Sequence, residues 1–89
     1  KWTVAMNPEF TVIRQYESID VTLTPYMNGI EQSLAIDMLT YSDAISIEKL
    51  DKNKYRVTGK KISPMTLISL RNTGTVTENR YIKVVSMMG

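Results

Sequence analysis

The sequence contains no cysteine and no histidine. Disulfides, thiol chemistry, a histidine general base and the commonest zinc ligands are therefore excluded. The four glycines are scattered along the chain, so the sequence has no glycine-rich loop that could cradle a phosphate. No apolar run approaches the ~18 residues of a transmembrane helix, and we expect no membrane insertion.

The chain also carries little net charge. Its 11 basic and 9 acidic side chains leave a formal charge of +2, and Lys60–Lys61 is a pair rather than a patch. This charge is too small and too dispersed to indicate nucleic-acid binding, so we expect no nucleic-acid partner.

Length and composition indicate one folded domain. Hydrophobic residues make up 43% and charged residues 22% of the 89 positions, which is not the composition of a disordered segment. A chain of this length builds one core with no room for a large cofactor pocket, so we expect no cofactor. Because the chain begins at Lys1 rather than Met, we expect residues 1–89 to be a single domain excised from a longer protein.

What the sequence does contain is a period-two alternation of apolar and polar residues, which indicates β-strands. In SIDVTLTP, Ile19, Val21 and Leu23 point to one face, and the polar residues between them point to the other. Pro25 is expected to end this strand, because proline cannot donate a hydrogen bond to a neighbouring strand. Asn28–Gly29 then predicts a turn, since both residues tolerate positive φ.

Roughly seven segments of this kind follow one another at intervals of about ten residues, which predicts an antiparallel sandwich or small barrel. For LAIDML, residues 34–39, helix is the competing interpretation, but strand is favoured because the neighbouring segments are strands. Gly59 is expected to relax the backbone at a bend. The side chains predicted to be buried between two sheets are Ile19, Val21, Ile36, Ile47, Val57, Leu67, Ile82 and Val84.

Residues 17–86 resemble a known family. The run SDAISIEKLDKNKYRVTGKKISPMTLISL, followed by YIKVV, is similar in layout to the group 2 bacterial immunoglobulin-like domain. Ile45 and Ile47 would take the family's first apolar pair, and residues 55–61, YRVTGKK, its strand after the hairpin turn. Residues 65–68, MTLI, would stand for its Ala-Thr-Ile-Thr strand, and Ser63–Pro64 departs from the family's Gly-Thr.

The resemblance implies an all-β, immunoglobulin-like antiparallel sandwich of about seven strands. Such modules occur in virion proteins of tailed phages and in bacterial surface adhesins, and the family has no catalytic residues to transfer. It implies a virion setting first, with a bacterial cell surface or secreted protein as the alternative. The implied partners are other domains or subunits of the parent assembly, with host cell-surface glycans as a further possibility.

The remaining groups that could perform catalysis are carboxylates and hydroxyls. The densest acidic stretch comprises Asp37, Asp43, Glu48 and Asp51. Nothing in their spacing enforces the facing carboxylates of a glycosidase or the alternating oxygen ligands of a calcium loop. Serine and threonine lack a histidine base. We therefore expect a non-catalytic domain with no metal site, in which these carboxylates are solvated.

Two kinds of exposed residue could mediate contact. Tyr26 and Tyr41 lie beside turn or loop signals and are candidate platforms for stacking on sugars, although aromatic residues at these places also cover sheet edges. If Met65 and Leu67 face inward, the outward side chains of the last two long strands form one apolar patch, which we predict to be a docking surface unless another part of the chain covers it. The predicted patch residues are Ile68, Leu70, Tyr81 and Val85.

Overall fold

The computed structural model describes residues 1–72, 74 and 76–88, and β-strand is the regular structure found in them. No helix in these residues is long and apolar enough to cross a membrane. The strands are β1 (Trp2–Asn7), β2 (Val12–Arg14), β3 (Ser18–Met27), β4 (Ile30–Glu31), β5 (Asp37–Leu39), β6 (Ile45–Asp51), β7 (Lys54–Gly59), β8 (Ser63–Asn72) and β9 (Val76–Val85).

The strands form two sheets. The first has the order β1-β3-β7-β6, with β4 attached to β3, and the second has the order β2-β9-β8-β5. If β2 is counted as the continuation of β1, and β4 as an extension of β3, seven strands remain. Their order is then ABED in one sheet and CFG in the other, which is the strand order of an immunoglobulin domain. The predicted all-β immunoglobulin-like sandwich is confirmed.

The core lies between the two sheets and is built from alternate residues of the long strands. Five of the eight predicted core residues are buried as expected, namely Val21, Ile36, Val57, Ile82 and Val84. Ile19 and Ile47 are partly buried and pack against this core. Leu67 is 41% exposed, so its predicted burial is wrong.

The alternation of β8 is inverted relative to the prediction. Ile68 and Leu70 are both 0% exposed and belong to the core, whereas they were predicted to face outward. The register explains this, because Thr66 lies opposite Ile82, whose side chain is buried, and residues 68 and 70 follow on the same face. The register shifts between Ser63 and Thr66, and such an irregularity cannot be read from MTLISL, where both alternations are apolar.

Pro25 lies inside β3 and is buried, so the predicted strand end there is wrong. The Gln32 N–H donates to the Pro25 carbonyl oxygen at 2.9 Å, which shows that the backbone polar side of Pro25 points away from β1. Because the N and C=O of one strand residue point the same way, no hydrogen bond to β1 is lost. The turn predicted after this strand is confirmed, with φ of 51° at Asn28 and 84° at Gly29.

Residues 32–36 cross from the first sheet to the second without regular structure, so the predicted strand over 34–39 is limited to Asp37–Leu39. Two residues from the β6–β7 hairpin hold this crossing. The Asn53 side chain donates to the Leu34 carbonyl at 2.9 Å and accepts from the Ile36 N–H at 2.7 Å. The buried Tyr55 hydroxyl donates to the Ile36 carbonyl at 2.7 Å. Backbone groups that no neighbouring strand could satisfy are thereby paired.

Gly59 is required by a close approach of two chain segments. A Cβ at this position would collide with the backbone carbonyl of Arg14. The Gly59 N–H donates to the Glu17 carbonyl at 3.0 Å, and its own carbonyl accepts from the Tyr16 N–H at 2.8 Å. Glycine therefore lets β7 contact the link between β2 and β3, which is a different role from the predicted bend.

A matched pair of truncations tests the observed alternation of β8. Ile68→Ala should lower the free energy of unfolding by about 2–5 kcal/mol, because it leaves a cavity in the core. Leu67→Ala should cost under about 1 kcal/mol, because that side chain is partly solvated. Urea melts of both variants measure the difference, and equal losses would contradict the inside-outside assignment.

The buried hydroxyl of Tyr55 predicts a loss of stability at high pH. Burial raises the pKa of Tyr55, and the negative charge of Asp37 raises it further. The folded state then holds this proton more tightly than the unfolded chain, so the stabilisation is complete below about pH 10 and is lost as the pH rises through the folded pKa. Tyr55→Phe should remove this part of the pH dependence.

The same substitution should cost about 1–3 kcal/mol near neutral pH, because the Ile36 carbonyl loses its partner. Urea melts at about pH 7 and about pH 11 give both quantities. If the free energy of unfolding of Tyr55→Phe falls above about pH 10 as steeply as that of the wild type, other groups cause the loss of stability at high pH.

Candidate interaction surface

The apolar patch predicted from the sequence does not form. Ile68 and Leu70 are core residues, Val85 is half-buried, and only Tyr81 is largely exposed. Ile68 and Leu70 were predicted to be exposed, but the register of β8 with β9 turns them toward the core and turns the alternate residues of β8 toward solvent. Their neighbours on β8 take their place at the surface.

Four exposed apolar side chains meet on the outer face of the second sheet. They are Val12 (48% exposed), Met65 (66%), Leu67 (41%) and Tyr81 (53%), and we call them the outer apolar surface. Leu67 lies directly opposite Tyr81, so their side chains are cross-strand neighbours. Met65 lies two residues before Leu67 on β8. Val12 lies opposite Lys83, two residues beyond Tyr81 on β9.

One basic residue lies within this surface and another lies at its β2 edge. Lys83 and Arg14 are both exposed and alternate with buried residues on β9 and β2, so they share the outer face. Within residues 1–72, 74 and 76–88, neither forms a salt bridge. On the opposite side, the Thr40 hydroxyl donates to the Leu67 carbonyl at 2.9 Å and holds the segment after β5 against β8.

The outer face of the first sheet is polar by contrast. It carries short hydroxyl side chains on β3, such as Thr22 and Thr24, and Ser18 and Thr58 share a hydrogen bond of 2.7 Å. Arg56 binds Asp20 through two hydrogen bonds of 2.8 and 3.1 Å, which lowers the pKa of Asp20. Leu50 of β6 is also exposed, but among the described residues the outward side chains of β3 from Ser18 to Thr24 and of β7 are hydroxyl or charged. The two faces of the sandwich therefore differ, because the second sheet carries four large apolar side chains on its outer face.

The candidate carboxylates are not brought together. Asp43 precedes β6 and Asp51 ends it, so the strand separates them by on the order of 25 Å. Asp43 forms a 2.6 Å ion pair with Lys61, whose hydrogen bond lowers the pKa of Asp43. In the part of the chain that the structure describes, no group of three acidic residues could hold a metal, and no pocket is found.

The two candidate sugar-stacking tyrosines lie on different sheets. Tyr26 is half-buried near the end of β3, opposite Thr3 of β1. Tyr41 follows β5 of the second sheet and is 88% exposed. They do not form one aromatic platform, which leaves Tyr41 as an isolated ring beside the segment that borders Leu67.

Arg80 is a structurally important residue that the sequence analysis missed. It follows the alternation of Ile82 and Val84 and so points to the inner side of β9. Its Nη2 donates to the Val4 carbonyl of β1 at 2.6 Å, and its Nη1 donates to Glu78 at 3.1 Å. Glu78 in turn accepts from the Val4 N–H at 3.2 Å. The signal was present, because Glu78 and Arg80 are charged residues on the core-facing alternation of a strand.

The comparisons with known proteins give no family. No family model matches the chain, and no curated protein matches it. Among solved structures, the chain is similar to the BIgI domain of beta protein from S. agalactiae bound to CEACAM1, at 12% sequence identity over 97% of this chain and 96% of that chain, with a TM-score of 0.47. The assignment of the immunoglobulin-like fold rests on the strand order, and membership of the group 2 family stays a prediction.

The dispersed carboxylates predict that no metal is needed for folding. Thermal melts with and without a chelator should superimpose, because the acidic residues are spread along β6 and its flanks rather than converging. A melting temperature lowered by several degrees on chelation would contradict this and indicate a calcium site in residues 43–53.

Proposed function

We propose that this domain is a non-catalytic structural module that holds neighbouring parts of a larger assembly apart. The assembly we favour is the virion of a tailed phage, in a tail or capsid protein, where the module acts as a spacer, a decoration or a weak surface binder. A bacterial cell-surface or secreted adhesin is the alternative. The observation that carries the spacer role is the position of the two chain ends.

The first and last strands run side by side in the same direction. Val4 of β1 hydrogen-bonds to the side chains of Glu78 and Arg80, near the start of β9. Further along, Arg14 of β2 lies opposite Val85, at the end of β9. Lys1 therefore lies at the end of the sandwich where β9 begins, and Val85 lies at the other.

This arrangement suits insertion in series. The molecule measures 41 × 21 × 19 Å, and the long strand β9 connects its two ends. A domain that the chain enters at one end and leaves at the other adds its long axis to the distance between its neighbours. Paired strands along its length make it a stiffer spacer than a flexible linker of equal reach.

The setting is supported by the resemblance of residues 17–86 to group 2 bacterial immunoglobulin-like domains, which occur in virions and on cell surfaces. The non-catalytic role is supported by the lack of histidine and cysteine and by the separation of Asp43 from Asp51.

Binding of host glycans is less well supported, because Tyr26 lies on the first sheet and Tyr41 follows β5 of the second. A glycan array with wild type and Tyr41→Ala would detect it.

Tandem copies test the spacer role. Three copies joined end to end should give, in small-angle X-ray scattering, a maximum dimension about three times the 41 Å long axis of one domain. The matched control places a flexible Gly/Ser linker of about 15 residues between copies, which should broaden the distance distribution. A compact particle with a maximum dimension well below three domain lengths would contradict the proposal.

A further inference from the structure

We infer that the outer apolar surface binds a protein segment whose apolar side chains are flanked by carboxylates. This lateral contact is separate from the end-to-end spacing proposed above, because it uses the broad face of the second sheet rather than the two ends. The inference rests on the exposure of four apolar side chains, on the basic residues beside them and on the contrast with the first sheet.

The domain leaves the outer apolar surface uncovered. Val12, Met65, Leu67 and Tyr81 keep between 41% and 66% of their area accessible. Single exposed apolar residues are ordinary, but adjacent ones on three neighbouring strands form a contiguous group, and such groups mark contact sites. The first sheet shows that the fold does not require such a group, since the outward side chains of its central strands β3 and β7 are mostly hydroxyl or charged.

The outer apolar surface is a sheet face centred on one cross-strand pair. It lies on a sheet without a groove, so the fitting partner is a flat or extended segment rather than a small molecule in a cleft. Tyr81 and Leu67 form the central cross-strand pair, and tyrosine is a residue type enriched among the energetically important residues of interfaces.

Two basic side chains lie in and beside the outer apolar surface. Lys83 lies on the central strand β9, opposite Val12 and two residues beyond Tyr81, so it sits among the apolar side chains. Arg14 lies two residues beyond Val12 at the β2 edge. Asp37, an exposed acidic side chain of the same sheet, lies farther along on β5 and opposite Arg71, whereas Glu78 of β9 points to the inner side. A partner with carboxylates around an apolar centre would pair with Lys83 and Arg14 while covering the apolar side chains.

A second copy of this chain fits the surface less well. In a symmetric dimer the same surface meets itself, so Lys83 and Arg14 would mostly face apolar or basic residues. The nearby carboxylate of Glu17 already accepts a hydrogen bond of 2.9 Å from the Arg14 backbone N–H. The apolar group is also small, because a stable interface covers about 800 Å² on each partner and four part-exposed side chains do not reach that area. Charge pairing with a different protein supplies what the apolar contact lacks.

Two synthetic peptides test this inference on the folded chain. Both carry the same apolar centre of leucine and phenylalanine, flanked by glutamates in one and by lysines in the other. We expect the glutamate peptide to shift the amide NMR signals of Leu67, Tyr81 and their neighbours, and to bind at least tenfold more tightly than the lysine peptide. The difference should shrink as salt is added, because exposed charges are screened.

Matched variants locate the contact. Leu67→Lys should weaken binding of the glutamate peptide at least tenfold despite adding a positive charge, because it breaks the apolar centre. Thr22→Lys adds the same charge on the outer face of the first sheet and should leave binding unchanged. Tyr81→Thr serves as a second probe of the surface, and the dispersion of the NMR spectrum confirms that each variant is folded.

Four outcomes would overturn the inference. They are equal binding of the two peptides, no binding of either at millimolar concentration, signal changes that map to the first sheet, and concentration-dependent shifts at Leu67 and Tyr81 without any peptide. The last of these would assign the surface to a second copy of the chain. None of them bears on the tandem-copy scattering, so the spacer role is tested independently.

Discussion

The burial of every second side chain between the two sheets is the constraint on which the other features of this domain depend. Once Ile82 and Val84 of β9 face inward, their partners on β8 must follow, and Ile68 and Leu70 enter the core. The same alternation sends Leu67 and Tyr81 outward. The candidate interaction surface is thus a consequence of how the core is packed, and a shift of one residue in β8 would exchange the two sets.

Packing two sheets together leaves backbone groups where strands end or chains cross, and a few polar side chains satisfy them. Arg80 and Glu78 hydrogen-bond to both backbone groups of Val4 on the open side of β1. Residues 32–36 cross from the first sheet to the second, and the side chains of Asn53 and Tyr55 hydrogen-bond to the backbone of this segment. Such groups are costly to leave unpaired, so these side chains stabilise the sandwich at its edges as the apolar residues do at its centre.

These contacts also set what the domain can do. Because Arg80 aligns β1 with the start of β9, the two chain ends lie at opposite ends of the sandwich, which is the geometry of a module in series. The described residues form an elongated body with one mostly polar face and one partly apolar face, which fits the proposed spacing and lateral contact.

The fold class and most of the core could be predicted from the sequence, because both follow from local alternation. The alternation around Val21 and Val57 allows one assignment of the buried face, because the intervening residues are polar. The sequence could not determine which face of MTLISL is buried, since both alternations carry large apolar residues and only pairing with β9 decides between them. It also could not show that Pro25 continues a strand, that Gly59 meets the backbone of Arg14, or that Arg80 reaches β1. Those features depend on which distant segments become neighbours, and local patterns do not encode that.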